Sequence, residues 1–287
     1  MIIDRLYREV REKGNVCVGL DTHLNYIPEE IKERYQSIDE ILFQFNKRII
    51  DNTYDIVPIF KLQIAFYEAY GLKGLEAYKR SLEYIKSIGS LSIGDIKRGD
   101  ISSTAEMYAK AHFYGEFEAD FITLNPYMGF DSITPYLQYV EKGNKGVFVL
   151  LRTSNPGAKD IQYLDVEGEK LYYHVGDKLN EISSKYVGSC GYSPIGAVVG
   201  GTHIDEAKEI RDRYKNMFFL IPGYGHQGGK GKDVVMYLND GNGGIVNSSR
   251  GIITAFKKYE DGVENFDKYV RQAVMEMKED IQSETRL

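Results

Sequence analysis

The sequence holds only two cysteines, and Cys17 lies inside an apolar, strand-like run. So few thiols exclude a disulfide-stapled secreted scaffold and fit a reduced, cytoplasmic protein. No apolar run reaches the ~18 residues that a membrane-spanning helix needs. The first thirteen residues, MIIDRLYREVREK, read as an amphipathic charged helix and lack the apolar core of a signal peptide. The five histidines (23, 112, 174, 203 and 226) are scattered, so each reads as a structural or loop residue rather than a metal ligand. No linker or low-complexity segment divides the chain. A strong basic balance is also missing: the net charge is −6, which argues against nucleic acid as a partner. It leaves room for a small phosphorylated ligand held by one or two local cations.

What is present is a regular alternation. Short apolar runs occupy 16–20, 56–62, 91–96, 121–124, 147–151, 196–199, 217–221 and 244–246. Stretches with helical spacing lie between them, at 38–51, 65–87, 102–117, 131–142, 171–187, 204–214 and 231–239, with a last helical region over 251–282. Eight strand–helix units predict an α/β fold, a (β/α)8 TIM barrel forming one domain over residues 1–287, preceded by the N-terminal helix. The continuous apolar strands fit a parallel sheet covered on both faces. Of the 287 residues 43 % are hydrophobic, enough to fill such a core.

In such barrels the chemistry sits at the carboxyl ends of the strands. Those ends are all polar here: Asp21-Thr22-His23, Lys61 and Gln63, Asp95 to Asp100, Asn125, Arg152 to Asn155, Thr202-His203, the stretch after Pro222, and Asn247 to Arg250. Richest is the third, Asp95-x-Lys97-x-x-Asp100, with three charges of alternating sign in six positions. Strand side chains repeat with period two, so Asp95 and Lys97 should point the same way, with Ile96 opposite. Asp100 falls in the strand-to-helix turn. A lysine held against carboxylates stays protonated and well placed to deliver a proton and stabilise negative charge at one carbon. Alone, the pattern also reads as an ordinary ion pair beside a capping box, Ser103-x-x-Glu106. Its place at a mouth shared with Asp21 and Lys61 favours chemistry, and the capping box would then fix the helix presenting Asp100 and Thr104.

Loops after the seventh and eighth strands of this fold often hold phosphate. Residues 222–231 contain five glycines (223, 225, 228, 229 and 231) and Gln227, and Arg250 follows the eighth strand. Glycine lets backbone N–H groups approach an anion, and a guanidinium can grip two phosphate oxygens. A flexible turn and a surface cation are the plain alternatives, but the two features fall in the right two loops of eight.

With Asp95-x-Lys97-x-x-Asp100-x-x-x-Thr104 the chain resembles the orotidine 5′-phosphate decarboxylase family over nearly its whole length. The likeness extends to Gly19-Leu20-Asp21, Phe60-Lys61, Thr153-Ser154-Asn155-Pro156-Gly157, Pro222-Gly223 with Gln227, and Ser249-Arg250-Gly251. The long segment after the fifth strand resembles the larger subfamily of some bacteria and parasites. D-x-K-x-x-D alone is shared with 3-keto-gulonate-phosphate decarboxylase and hexulose-phosphate synthase; Thr104, Lys61 and Ser154 point to the orotidylate branch.

The resemblance implies that Lys97 protonates C6 of the pyrimidine, within a charged network of Asp95, Lys61 and Asp100 around the substrate carboxylate. It implies that Asp21 and Lys61 bind ribose hydroxyls, that Ser154 bonds the pyrimidine, and that Gln227 and Arg250 bind the phosphate. Asp100 and Thr104 would reach a partner subunit's site, making a homodimer with shared active sites. Several loop glycines depart from the bulkier residues of many relatives.

Decarboxylation leaves two electrons on a poorly delocalised ring carbon, a task for which an electron-sink cofactor is the usual device. No lysine stands in a convincing pyridoxal-phosphate context, and no metal cluster is legible, so the expectation is a reaction without cofactor or metal. Two other readings compete. A metal-dependent sugar-phosphate enzyme of the same superfamily would hold Mg²⁺ on the acidic residues and respond to a chelator. A non-catalytic phosphate binder would bind nucleotide without turnover, and would have no use for two lysines among three aspartates.

Overall fold

The computed structural model describes residues 1–201, 204–225 and 229–285. Eight parallel strands close a barrel: β1 (Val16–Gly19), β2 (Ile59–Gln63), β3 (Leu91–Arg98), β4 (Phe121–Leu124), β5 (Gly146–Arg152), β6 (Ser193–Val199), β7 (Met217–Pro222) and β8 (Gly244–Ser248). Each pairs with its neighbours in sequence, and β1 closes the ring against β8. β1, β4, β6 and β8 are buried along their whole length, as strands covered on both faces must be. The predicted (β/α)8 barrel is therefore what the chain forms.

The longer helices are α1 (Ile2–Lys13), α2 (Ile38–Asp51), α3 (Gly71–Ser87), α4 (Ser102–Phe113), α5 (Thr134–Glu141), α6 (Leu171–Ser183), α7 (Ile204–Arg213) and α8 (Phe266–Thr285). Two apolar clusters hold the layers together. One lies between barrel and helices and includes Leu42, Phe45, Ile49, Val270 and Val274. The other fills the barrel with Ile59, Leu91, Ile93, Phe121, Phe148, Phe218 and Ile245. α1 belongs to this second cluster through Ile2, Ile3, Leu6 and Val10. Burying each such side chain is worth about 1.5–3 kcal/mol. Polar bonds seat α1 on the amino ends of the strands: the Ile2 N–H donates to the Gly143 carbonyl at 2.7 Å, and Arg5 Nη2 to the Gly89 carbonyl at 2.7 Å. The floor of the barrel is thus closed, and the mouth lies at the carboxyl ends.

The helices depart from expectation where glycine intervenes. The stretch 65–87 splits into Ala65–Glu68 and α3, because Gly71 takes φ +63°, which ends one helix and starts the next. A side chain at Gly74 would lie 1.9 Å from the Tyr67 carbonyl oxygen, so the two pieces cross too closely for any other residue. The region 251–282 is likewise not continuous: Arg250–Ile253 and a 3₁₀ turn, Ala255–Lys258, precede α8. A Cβ at Gly262 would meet the Phe256 carbonyl oxygen at 1.8 Å, which marks the tight turn between them. The capping box does not form either. Ile101 occupies the N-cap of α4, so Ser103 lies two positions too far in for its hydroxyl to close the helix. An antiparallel pair, Asp165–Val166 with Glu169–Lys170, was not expected and lies in the long segment after β5.

His112, on α4, is 3 % exposed, and its Nδ1 has no hydrogen-bond partner among the described residues. Burial, with help from the Arg98 charge, pulls its imidazole down to about 4. The unfolded chain takes up that proton near pH 6.5, whereas the folded chain resists until about pH 4. Stability should therefore fall by roughly 3 kcal/mol between these values from this one group. Urea titrations of wild type and His112→Gln at pH 7 and pH 4.5 check this; the variant should lose most of the decline.

Candidate active site

The register of the first three strands sets the site. Gly19 on β1 lies level with Lys61 on β2, and Gln63 lies level with Asp95 on β3. Lys61 Nζ stands 3.1 Å from Asp21 Oδ1 and 3.1 Å from Asp95 Oδ2. Lys97 Nζ lies 2.5 Å from Asp95 Oδ1. The result is a row of alternating charge, Asp21–Lys61–Asp95–Lys97, buried at its centre and open at the Lys97 end: Lys61 is 5 % and Lys97 43 % exposed along the side chain.

Burial alone disfavours both ions at the centre of this row, and their partners outweigh it. Desolvation works against the Lys61 charge, but Asp21 and Asp95 hold the ammonium above the ordinary lysine range. Desolvation likewise pushes the Asp95 carboxyl up, while Lys61 and Lys97 hold it well below the usual carboxylate range. Asp95 also accepts from Gln63 Nε2 at 3.0 Å and Thr123 Oγ1 at 2.8 Å, so four side-chain donors converge on one carboxylate. Nearby Cys17 is fully buried, and burial pushes its thiol up, which removes it as a nucleophile.

Period two brings Asp95 and Lys97 together with Ile96 in the outer core, as expected, but β3 does not stay regular. Its pairing with β4 shifts between Gly94 and Arg98, and Lys97 has φ +46°. That left-handed conformation is rare for a residue with a side chain and costs on the order of 1–3 kcal/mol. It turns the Lys97 N–H onto Thr123 Oγ1 at 2.9 Å. Thr123 thus bonds the backbone of one charged residue and the side chain of the other. A threonine in an apolar strand gives no sequence signal for such a role.

Asp21 is fixed from both sides. Its Oδ2 accepts from Ser249 Oγ at 2.6 Å, and its Oδ1 from the Gln63 N–H at 3.3 Å. Behind it Tyr67 donates to the Leu20 carbonyl at 2.7 Å, and Asn46 Nδ2 donates to Tyr67 and Ser81. A cavity of about 910 Å³ opens over the row, reaching Lys61, Asp95, Lys97, Thr123, Ser154 and Asn247. Its far wall is apolar and comes from the segment after β5, including Ile161, Leu171 and Tyr172. Ser154 therefore shares the cavity with the charged row. Asn247 adds a buried Oδ1 without a hydrogen-bond partner among the described residues.

The other sequence-predicted residues lie around the rim. Arg250 is exposed and donates through Nε to the Tyr26 hydroxyl at 3.1 Å. Gln227 lies outside the described residues. Before it in the chain, Gly223 and Gly225 adopt φ +106° and +73°, and the Gly225 N–H donates to the carbonyl of Gly229, which follows it, at 2.8 Å. Asp100 is not part of the charged row; its Oδ1 accepts the Ile101 N–H at 2.8 Å. Thr104 is exposed on α4. Around these two the surface carries Ile101, Met107, Tyr127 and Met128, 42 %, 63 %, 80 % and 49 % exposed. No group of three or more His, Cys, Asp or Glu side chains among the described residues could hold a metal ion. The carboxylates of the row are separated by lysines instead of converging on one point. Nor is any helix of the described residues long and apolar enough to cross a membrane.

Residues 14–262 match the model of the "Orotidine 5'-phosphate decarboxylase / HUMPS family". The chain is 75 % identical over 286 residues to an orotidine 5′-phosphate decarboxylase of Petrotoga mobilis, covering 99 % of each sequence. It is 58 % identical to that of Clostridium novyi over 98 % of both. Its structure is similar to OMP decarboxylase of Leishmania donovani, with a TM-score of 0.79, 29 % identity, and 100 % of this chain and 99 % of that one covered.

Proposed function

The chain belongs to the orotidine 5′-phosphate decarboxylase family, and from that membership we propose that the row Asp21–Lys61–Asp95–Lys97 carries its reaction. The activity is decarboxylation of orotidine 5′-monophosphate to uridine 5′-monophosphate, a step of pyrimidine synthesis. The C6–carboxylate bond breaks, carbon dioxide leaves, and the electron pair remains at C6, where it takes a proton from Lys97 Nζ. The carrying observation is the Lys97 ammonium held 2.5 Å from Asp95 at the open end of a row whose centre, Lys61 and Asp95, is buried.

The row stabilises the transition state more than the substrate. Negative charge spread over the carboxylate becomes localised at C6, next to a fixed ammonium in a partly dry site. Asp95 faces the departing carboxylate and raises its energy in the ground state. With charge supplied in this way the reaction needs no metal and no cofactor. Loss of orotidine 5′-monophosphate absorbance on adding protein together with a chelator tests this; a chelator-sensitive rate would overturn it.

In this reading Asp21 and Lys61 also meet the ribose hydroxyls, Ser154 bonds the pyrimidine, and Gln227 and Arg250 take the phosphate. Arg250→Ala should lower kcat/KM for the phosphorylated substrate by roughly 10- to 100-fold, the worth of a charge-assisted contact. Kinetics with the unphosphorylated nucleoside supply the control, since an equal loss there would remove Arg250 from the phosphate site.

The exposed apolar surface around Asp100 and Thr104 supports a homodimer in which both residues complete the partner's site. Chains carrying Asp100→Asn and chains carrying Lys97→Ala should each be inactive alone. Random mixing should restore about a quarter of the wild-type sites, because half the dimers are hybrids with one intact site. No recovery would mean that each chain completes its own site. The two unpaired cysteines support a cytoplasmic location.

A further inference from the structure

Much of the cavity wall beyond the charged row comes from one stretch of chain, residues 153–172, and its fastening is unusual. Arg152, the last residue of β5, is 1 % exposed and is among the largest fully buried side chains. Its Nε donates to Glu206 Oε2 at 2.8 Å, its Nη1 to the Thr153 carbonyl at 2.6 Å, and its Nη2 to the Tyr163 hydroxyl. Tyr163 in turn donates to Glu206 Oε2 at 2.7 Å, and Lys170 Nζ to Glu206 Oε1 at 2.5 Å. One carboxylate on α7 therefore takes three donors, placed at the root, the middle and the far end of the wall. Desolvation pushes that carboxyl up, but the bonds from Lys170, Tyr163 and Arg152 outweigh it and hold it below the usual range.

The wall's root is fixed as tightly. Gln162 Oε1 accepts the Thr153 N–H at 2.9 Å, and Gln162 Nε2 donates to Thr153 Oγ1 at 2.7 Å. Ser154 follows directly, pressed against β6: a Cβ at Gly200 would lie 2.8 Å from the Ser154 nitrogen. Ser154 has little freedom of its own, so where it stands depends on how the wall is held.

We propose that Glu206 is a positioning residue for base recognition: by clamping Arg152, Tyr163 and Lys170 it sets the distance between Ser154 and the charged row. This rests on the reading of Ser154 as the pyrimidine's partner. Glu206 touches no part of the substrate, and its effect is confined to the base. Misplacing a recognition group by about 1 Å is enough for a loss of up to roughly 100-fold.

The test measures binding of UMP and of ribose 5-phosphate, which lacks the base, together with KM and kcat. Glu206→Ala should weaken UMP roughly 10- to 100-fold and raise KM similarly. Ribose 5-phosphate binding should change by less than about twofold, because phosphate and ribose contacts lie on other loops. Equal weakening of both ligands would make Glu206 merely structural, and unchanged UMP binding would also overturn the proposal. If Glu206→Ala does not fold, Tyr163→Phe removes the hydroxyl's two clamp bonds, to Arg152 and to Glu206, leaves the Arg152 and Lys170 bonds to Glu206, and must show the same selectivity at smaller size. Ser154→Ala separates the two claims. If it leaves UMP affinity intact, the reading of Ser154 fails. If both single variants weaken UMP but their effects simply add in the double variant, Ser154 stands and Glu206 does not act through it.

Discussion

Replacing Lys97 with alanine should lower kcat for orotidine 5′-monophosphate by roughly 10⁴- to 10⁷-fold, while the chain keeps its fold. The size follows from two functions lost together. A positioned general acid contributes about 10²- to 10⁴-fold. A fixed charge aimed at a developing carbanion contributes about 10²- to 10³-fold more. Folding is spared because Lys97 sits at the open end of the row, 43 % exposed along its side chain, and Asp95 keeps Lys61, Gln63 and Thr123 as partners. Alanine at a left-handed position retains the backbone strain, so the stability change stays small. Single-turnover kinetics and circular dichroism on the same preparation decide the matter; turnover within tenfold of wild type would remove Lys97 as the proton donor.

Asp95→Asn is expected to damage both activity and stability. Asp95 is 6 % exposed and accepts four donors, two of them cationic. An amide at that position turns a donor toward those same groups and leaves Lys61 with Asp21 alone. Breaking one partner out of a buried charge pair costs about 3–5 kcal/mol. Activity should fall by at least ~10³-fold, since Lys97 loses the anchor that aims it. The pH dependence identifies the cause. A carboxyl held below its unfolded value stabilises the fold above roughly pH 4, and that contribution is lost as pH falls further. Wild type should therefore weaken below about pH 4, beneath the His112 window, and in Asp95→Asn that last decline should be smaller by Asp95's share, while Glu206 and the other paired carboxylates keep theirs. Urea midpoints from pH 7 to pH 3 measure both. A variant as stable as wild type at pH 7 would show that the pair contributes nothing net to folding.

The barrel was legible because its signal is repetitive. Eight apolar runs alternating with helical stretches have few other solutions, and 121–124 coincides with β4 to the residue. The charged row was legible for the same reason: once strands are placed, their carboxyl ends are known, and Asp21, Lys61, Asp95 and Lys97 all lie toward or just beyond those ends. What could not be read depends on backbone detail or on unremarkable residues. The bulge in β3 leaves no mark in the letters Asp-Ile-Lys, and the Ser103–Glu106 pattern misled because a left-handed Ser102 moves the helix start. Thr123 and Glu206 look like any threonine in a strand and any glutamate on an exposed helix. Their importance comes only from what the fold brings within bonding distance.

The bend at Lys97 limits how far this chemistry can be transplanted. On a straight strand of another eight-stranded barrel, the letters D-x-K-x-x-D would put the lysine's N–H into a ladder and its ammonium elsewhere. A working graft must also carry a hydroxyl at the Thr123 position to receive that N–H, and Gly99, where a Cβ would lie 2.7 Å from the Asn125 carbonyl oxygen. The portable unit is two adjacent strands with their irregularity, and a designer who copies side chains alone copies the wrong thing.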